Sequence, residues 1–194
     1  EIVDLAVRGT AIAGDRPQEN LKAGVIEGIK DTFRHFWLVF RCSIVGVFVG
    51  IMPGAGGGVA QWMAYAHSVQ SAKDATDRER FGKGDIRGVL GPGAANNSKE
   101  GGELIPTVAF GVPGSGAMAI LLGAFMIMGL LPGPDMLTKH LAVTYSMVWT
   151  LVIANVIAVV LCLFILNQLA KETYIKGGLI IPIVLLMVFV VSYT

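Results

Sequence analysis

Two apolar stretches of the chain are interrupted by the same kind of motif, and this constrains its fold more than any other feature. The first reads Gly50-Ile51-Met52-Pro53-Gly54-Ala55-Gly56-Gly57-Gly58; the second reads Gly111-Val112-Pro113-Gly114-Ser115-Gly116. Each hydrophobic run reaches Pro-Gly-small-Gly and then resumes. Proline and clustered glycine cannot continue a regular helix without leaving backbone groups unpaired. Inside a bilayer such groups survive only where protein or a water-filled cavity satisfies them. Paired interruptions of this kind point to the substrate site of a secondary transporter.

The distribution of charge supports a membrane setting. Only 15% of residues are charged and 54% are hydrophobic, against about 25% charged in a soluble domain. Charges crowd residues 1–41 and 67–103 and nearly vanish from 42–66, 104–134 and 141–169. The expected class is an all-α, polytopic membrane protein with broken helices or re-entrant helical hairpins. A net charge of +1 carries no information about partners. Cys42 and Cys162 lie in apolar runs without framework spacing and read as packing residues. His35, His67 and His140 are far apart and lack ligand spacing, so no metal or other cofactor is expected.

Residues 17–34 read as an amphipathic helix. Leu21, Val25, Ile29 and Phe33 recur at every fourth position, and Pro17 suits the first turn. Phe36 and Trp37 follow, as at a membrane surface leading into a span. Residues 36–66 form the first broken pair, each piece too short for the roughly 20 residues of a full crossing. Basic residues gather on both flanks, from Arg8 to Arg41 and from Lys73 to Lys99. Both flanks are then on one side, which favours a hairpin. Gly46, Gly50, Gly54 and Gly58 mark a small-residue helix face, which does not account for Pro53 or for Gly56 and Gly57.

Residues 67–103 are expected to be a polar loop carrying an Asn motif. Residues 104–131 form the second broken hairpin, 141–169 a transmembrane helix and 179–194 the start of another. Asn155, midway along 141–169, reads as an interhelical hydrogen-bonding group. The chain begins at Glu1 and stops inside an apolar run, which reads as a fragment.

Interrupted helices offer specific chemistry. The half-helix that follows a break presents free N–H groups and a partial positive charge, suited to a carboxylate. The half-helix before it presents carbonyls, suited to a cation. The candidate substrate site is therefore the backbone at Gly54, Ala55, Gly56, Gly57, Gly114 and Ser115. Asn96, Asn97 and Ser98 add neutral hydrogen bonds, with Pro53 and Pro113 as the break points. No Arg or Lys lies within either break. Glu100 and Glu103 could bind a coupling cation, Na⁺ or H⁺, or be solvated loop charges. The P-loop and dinucleotide fingerprints fail, no hydrolytic triad or paired-carboxylate set stands out, and no enzyme is expected.

The motifs also occur in a recognisable order. Gly50 to Gly56, Phe81-Gly82-Lys83-Gly84-Asp85-Ile86-Arg87-Gly88-Val89, Ala94-Ala95-Asn96-Asn97, Gly102 to Thr107 and Phe110 to Ser115 together resemble the large membrane subunit of the tripartite tricarboxylate transporters, the TctA-type protein. The resemblance implies one half, the C-terminal one, of a two-repeat permease in the bacterial inner membrane. It implies a periplasmic solute-binding protein and a small membrane subunit as partners. It implies ion-gradient-driven import of a carboxylate such as citrate. Gly93 departs from the pattern, where many members carry a Glu, and leaves the coupling ion open. The alternative is a non-transporting membrane scaffold subunit packing against a partner permease.

Overall fold

The computed structural model describes residues 21–172 and 177–193. Pro17 and the start of the amphipathic segment lie outside them, as does Thr194. Among the described residues every regular element is a helix: α1 Leu21–Arg34, α2 Phe36–Ile51, α3 Gly56–Gln70, α4 Ala75–Arg78, α5 Arg87–Phe110, α6 Gly116–Ile127, α7 Pro134–Thr138, α8 Leu141–Glu172 and α9 Gly177–Tyr193. The described residues fall into two compact units, one of residues 26–152 and one to which 21–25, 153–172 and 177–193 belong. The first unit holds every residue discussed below unless stated.

The chain bends by 76° at His35 between α1 and α2. Phe36, Trp37 and Phe40 cluster just after the bend, with Trp37 edge-on to Phe40 at 5.9 Å between ring centroids. These rings are exposed, which suits the interfacial level of a membrane.

Helix α2 stops because Met52 precedes a proline. The residue before proline is pushed out of the helical region, and Met52 is extended at φ −84° and ψ 110°. Gly54 then takes φ +79°, a left-handed conformation that side chains resist. The Ala55 N–H donates to the Met52 carbonyl and closes a tight turn at 3.3 Å. α3 returns along α2 as a hairpin. Cys42 meets the Ala64 carbonyl and the Ser68 hydroxyl, and Leu38, Cys42, Ala64 and Ala95 form a buried cluster.

Residues 87–103, expected as part of a polar loop, are instead the larger part of α5. The physical reason is packing. Gly91, Ala95, Ser98 and Gly102 recur at helical spacing and give α5 a face almost without side chains. α2 lies against that face. A Cβ at Gly46 would collide with the Ala95 carbonyl, and one at Gly102 with the Val47 carbonyl. Such backbone approach outweighs the poor helix propensity of Gly, Asn and the internal Pro92 and Pro106.

α5 ends at Gly111, which is left-handed at φ +69°, the usual conformation of a helix stop. Extended Ser115 opens α6. A second core gathers Val108, Leu122, Phe125 and Met136, tied by the Gly133 N–H donating to the Val108 carbonyl at 2.9 Å.

α8 contains a 26-residue stretch, Leu141–Leu166, long and apolar enough to cross a membrane. At about 1.5 Å per residue it exceeds the ~30 Å hydrocarbon core. None of that stretch is buried, so its apolar surface calls for lipid or another chain. α9 spans Gly177–Tyr193 and lies in the second unit.

Candidate functional site

The end of α2 that leads into the first interruption, and the second interruption itself, flank a single turn of α5. On one side, Gly50 at the end of α2 lies so close that a Cβ there would collide with the Lys99 carbonyl and sit 3.1 Å from the Glu103 nitrogen. The first break begins immediately after it. On the other side, a Cβ at Gly114, inside the second break, would lie 2.8 Å from Glu103 Cγ and 3.4 Å from Cδ. Glycine is required at both places because the Glu103 turn fills the space a side chain would need.

Glu103 is 1% exposed, so the reading of it as a solvated loop charge does not hold. Burying a carboxylate costs several kcal/mol unless an opposite charge and hydrogen bonds compensate. Lys99, one turn earlier and 7% exposed, supplies part of that: its Nζ is 3.1 Å from Glu103 Oε1 and 3.2 Å from Glu100 Oε1. The second oxygen, Glu103 Oε2, is buried without a hydrogen-bond partner, and so is the Ser115 hydroxyl. Thr107 is fully buried beside them, its hydroxyl donating to the Glu103 carbonyl at 2.6 Å.

The sequence-derived candidates separate into groups. Gly114 and Ser115 belong to this turn. Pro113 is exposed next to them. Gly54 and Pro53 stand exposed at the hairpin tip, with nothing within 4 Å of a Cβ at Gly54. Ala55 is half-buried and leads into Gly56 and Gly57 at the start of α3. Asn96 and Asn97 are both exposed. At about 100° per residue, Asn96 shares a stripe of α5 with Glu100, Glu103 and Thr107, and Asn97 falls on the stripe of Gly101 and Leu104. Ser98 is committed elsewhere: its hydroxyl donates to the Ser43 carbonyl at 2.8 Å and fastens α5 to α2.

Sequence reading missed Lys99. No cation lies in either break along the chain, yet the fold pairs Lys99 with Glu103, the residue against which Gly114 packs. The signal was present as the spacing of residues 96, 99, 100, 103 and 107, which only a helical reading would expose.

A second charged group lies away from this turn. Arg87, at the start of α5, donates to both Asp77 oxygens at 3.0 and 2.6 Å and to both Asp85 oxygens at 3.0 and 2.7 Å. Its guanidinium also lies 5.0 Å from the centre of the Phe81 ring. The Arg87 hydrogen bonds hold the Asp85 carboxyl down to about 2 and lower Asp77 likewise. This clamp shapes the connection between α3 and α5 and commits four of the five guanidinium N–H groups of Arg87.

Comparison with known proteins adds three findings. The whole chain, residues 1–194, matches the family described as the tripartite tricarboxylate transporter TctA family. An uncharacterized 52.8 kDa protein in the TAR-I ttuC' 3' region of Agrobacterium vitis is 30% identical over 156 residues, covering 80% of this chain and 30% of that protein. An uncharacterized protein in the TAR-II ttuC' 3' region of the same organism is 30% identical over 149 residues, covering 77% of this chain and 60% of that protein. The chain thus spans about a third and three-fifths of these relatives. No solved structure matches it.

Proposed function

The chain belongs to the tripartite tricarboxylate transporter TctA family, a family of membrane transporter components, and from that premise we propose that it is part of a permease importing a small organic carboxylate. The observation that carries this reading is the packing on the Glu103 turn of Gly50, at the end of the helix that leads into the first interruption, from one side and of Gly114, inside the second, from the other. Amides at the starts of α3 and α6 supply donors for a carboxylate. Lys99 supplies the charge that the backbone alone lacks. Asn96 and Asn97, exposed on α5, supply neutral donors, and Glu100 and Glu103 are the candidates for cation coupling. The driving force is an ion gradient, Na⁺ or H⁺. A periplasmic solute-binding protein delivers the substrate, and a small membrane subunit completes the assembly in the bacterial inner membrane. This chain supplies one of two repeats that alternate access about a midplane site.

The test uses the intact transporter. Gly56→Leu and Pro113→Leu are expected to abolish uptake of labelled citrate and related carboxylates while the protein still reaches the membrane. Unimpaired uptake by both variants removes the assignment. The scaffold alternative predicts close helix contacts and no carboxylate binding. The contacts are present at Gly46, Gly50 and Gly102, all within this chain. Substrate protection of a cysteine introduced by Ala55→Cys or Ser115→Cys separates the two readings.

A further inference from the structure

Away from the Glu103 turn, the fold encloses a polar space that the import reading does not use. A cavity of about 770 Å³ opens between the end of α1 and the connection from α3 to α5, lined in part by Asp31, Arg34, His35, Lys73, Asp74 and Arg80. We infer that it holds the headgroup of a membrane phospholipid in which a phosphate diester is joined to a primary ammonium, as in phosphatidylethanolamine. The inference goes beyond the import reading and needs only the membrane setting of the family.

The charges of the cavity select the class of ligand. Four carboxylates and four Lys or Arg side chains line it, so the wall carries both signs and no excess of either. Arg87 is engaged by Asp77 and Asp85. Arg34, Lys73, Asp31 and Asp74 are left without a side-chain hydrogen bond or ion pair among the described residues, and Arg80 reaches Asp77 only at 3.9 Å. A simple anion would satisfy the free cations and be repelled by the free acids. A zwitterion satisfies both, its phosphate accepting from Arg34 and Lys73 and its ammonium donating to Asp31 and Asp74. A primary ammonium fits better than a quaternary one. Aromatic cages recognise quaternary ammonium groups, and no Phe, Tyr or Trp is among the described residues lining this cavity.

Position points to a lipid rather than to a soluble phosphate ester. Arg34 and His35 line the cavity, and Phe36 and Trp37 are the next two residues, exposed as rings are at the headgroup level of a bilayer. Ile26, Ile29 and Phe33, at helical spacing on α1, are exposed as well. An apolar stripe beside a charged face is the arrangement of a helix lying in the membrane surface. Acyl chains cover the stripe and the rings while the headgroup turns into the cavity, whose size is that of a small-molecule site.

The test titrates the detergent-purified intact transporter with dioleoyl phosphatidylethanolamine, phosphatidylcholine and phosphatidylglycerol and counts bound lipid by native mass spectrometry. The parent is expected to hold one phosphatidylethanolamine about tenfold or more tighter than either other lipid, the scale of a charge-assisted hydrogen bond. Asp31→Asn with Asp74→Asn should weaken phosphatidylethanolamine by about tenfold and strengthen phosphatidylglycerol, inverting the preference. Arg34→Gln with Lys73→Gln should weaken all three. The preference is a ratio within one preparation, so a partly unfolded sample does not imitate its inversion. Should the Asn pair fail to reach the membrane, each Asn change alone is expected to shift the ratio in the same direction. Equal binding of the three lipids by the parent, or a ratio unmoved by the Asn changes, overturns the inference, as does phosphatidylethanolamine binding indifferent to the Gln pair. Glycerophosphoethanolamine bound as tightly as the lipid also overturns it, in favour of a soluble ester. Citrate uptake is not read in this experiment, so loss of the import reading leaves the lipid site standing, and the reverse holds as well.

Discussion

Gly101 and Gly102 are neighbours in the interior of α5 and are expected to respond oppositely to alanine. Each substitution gains about 1 kcal/mol of helix propensity, so that contribution cancels in the comparison. What remains is steric. A Cβ at Gly101 meets nothing within 4 Å, whereas one at Gly102 collides with the Val47 carbonyl and lies 3.1 Å from Val47 C and Cα. Overfilling a packed contact costs about 1–3 kcal/mol. The upper half of that range applies, because the obstacle is main chain and α2 must back away. Gly102→Ala should therefore be about 2–3 kcal/mol less stable than Gly101→Ala. At about 2–4 °C per kcal/mol for a chain of this size, the melting temperatures separate by about 4–12 °C. Thermal unfolding of the two detergent-purified variants, followed by tryptophan fluorescence, measures the difference. A Gly102→Ala protein that melts at or above Gly101→Ala would refute the close approach of α2 and α5.

Other outcomes follow from the same contacts. Gly114→Ala should push the Glu103 side chain out of place and lower carboxylate uptake by about tenfold or more, on the scale of one ill-placed group, with unchanged membrane levels; uptake assays and immunoblots check both. Arg87→Lys should loosen the 74–86 connection, because an ammonium cannot reproduce the forked bonds to Asp77 and Asp85; limited proteolysis reads this as faster cleavage there. The clamp should also depend on acid in a definite direction. Asp85 is held at about 2, below the ordinary ~3.9, so its stabilisation is complete above pH ~4 and is lost as pH falls toward 2. Protection of the amides of residues 77–87, with exchange corrected for its own pH dependence, should fall in that window, and in Arg87→Lys at a higher pH than in the parent.

The breaks were legible in the sequence because proline and glycine act through local chemistry. Pro53 removes the helical conformation of Met52, and Gly111 supplies the left-handed stop of α5, without any help from distant residues. The helix over 87–103 was not legible. Its composition, with Gly91, Gly93, Asn96, Asn97, Gly101 and Gly102, has poor propensity, and only contact with α2 makes it favourable. That error propagated to the site. A loop would solvate Glu103 and scatter Lys99, whereas one helical turn joins them and buries both. Ser98 illustrates the reverse case, a polar residue correctly noticed whose hydroxyl is spent on Ser43.

The glycine-lined seam between α2 and α5 has a mechanical consequence. Two rods whose backbones touch along several turns resist sliding, since a shift of one residue would drive a side chain into a carbonyl. They behave as a single strut. Any rocking that opens the Glu103 turn first to one side and then to the other has to be borne elsewhere. The short peptide from Gly111 to Ser115, which carries exposed Val112 and Pro113, is the natural flexure, pivoting α6 against a strut that keeps its shape.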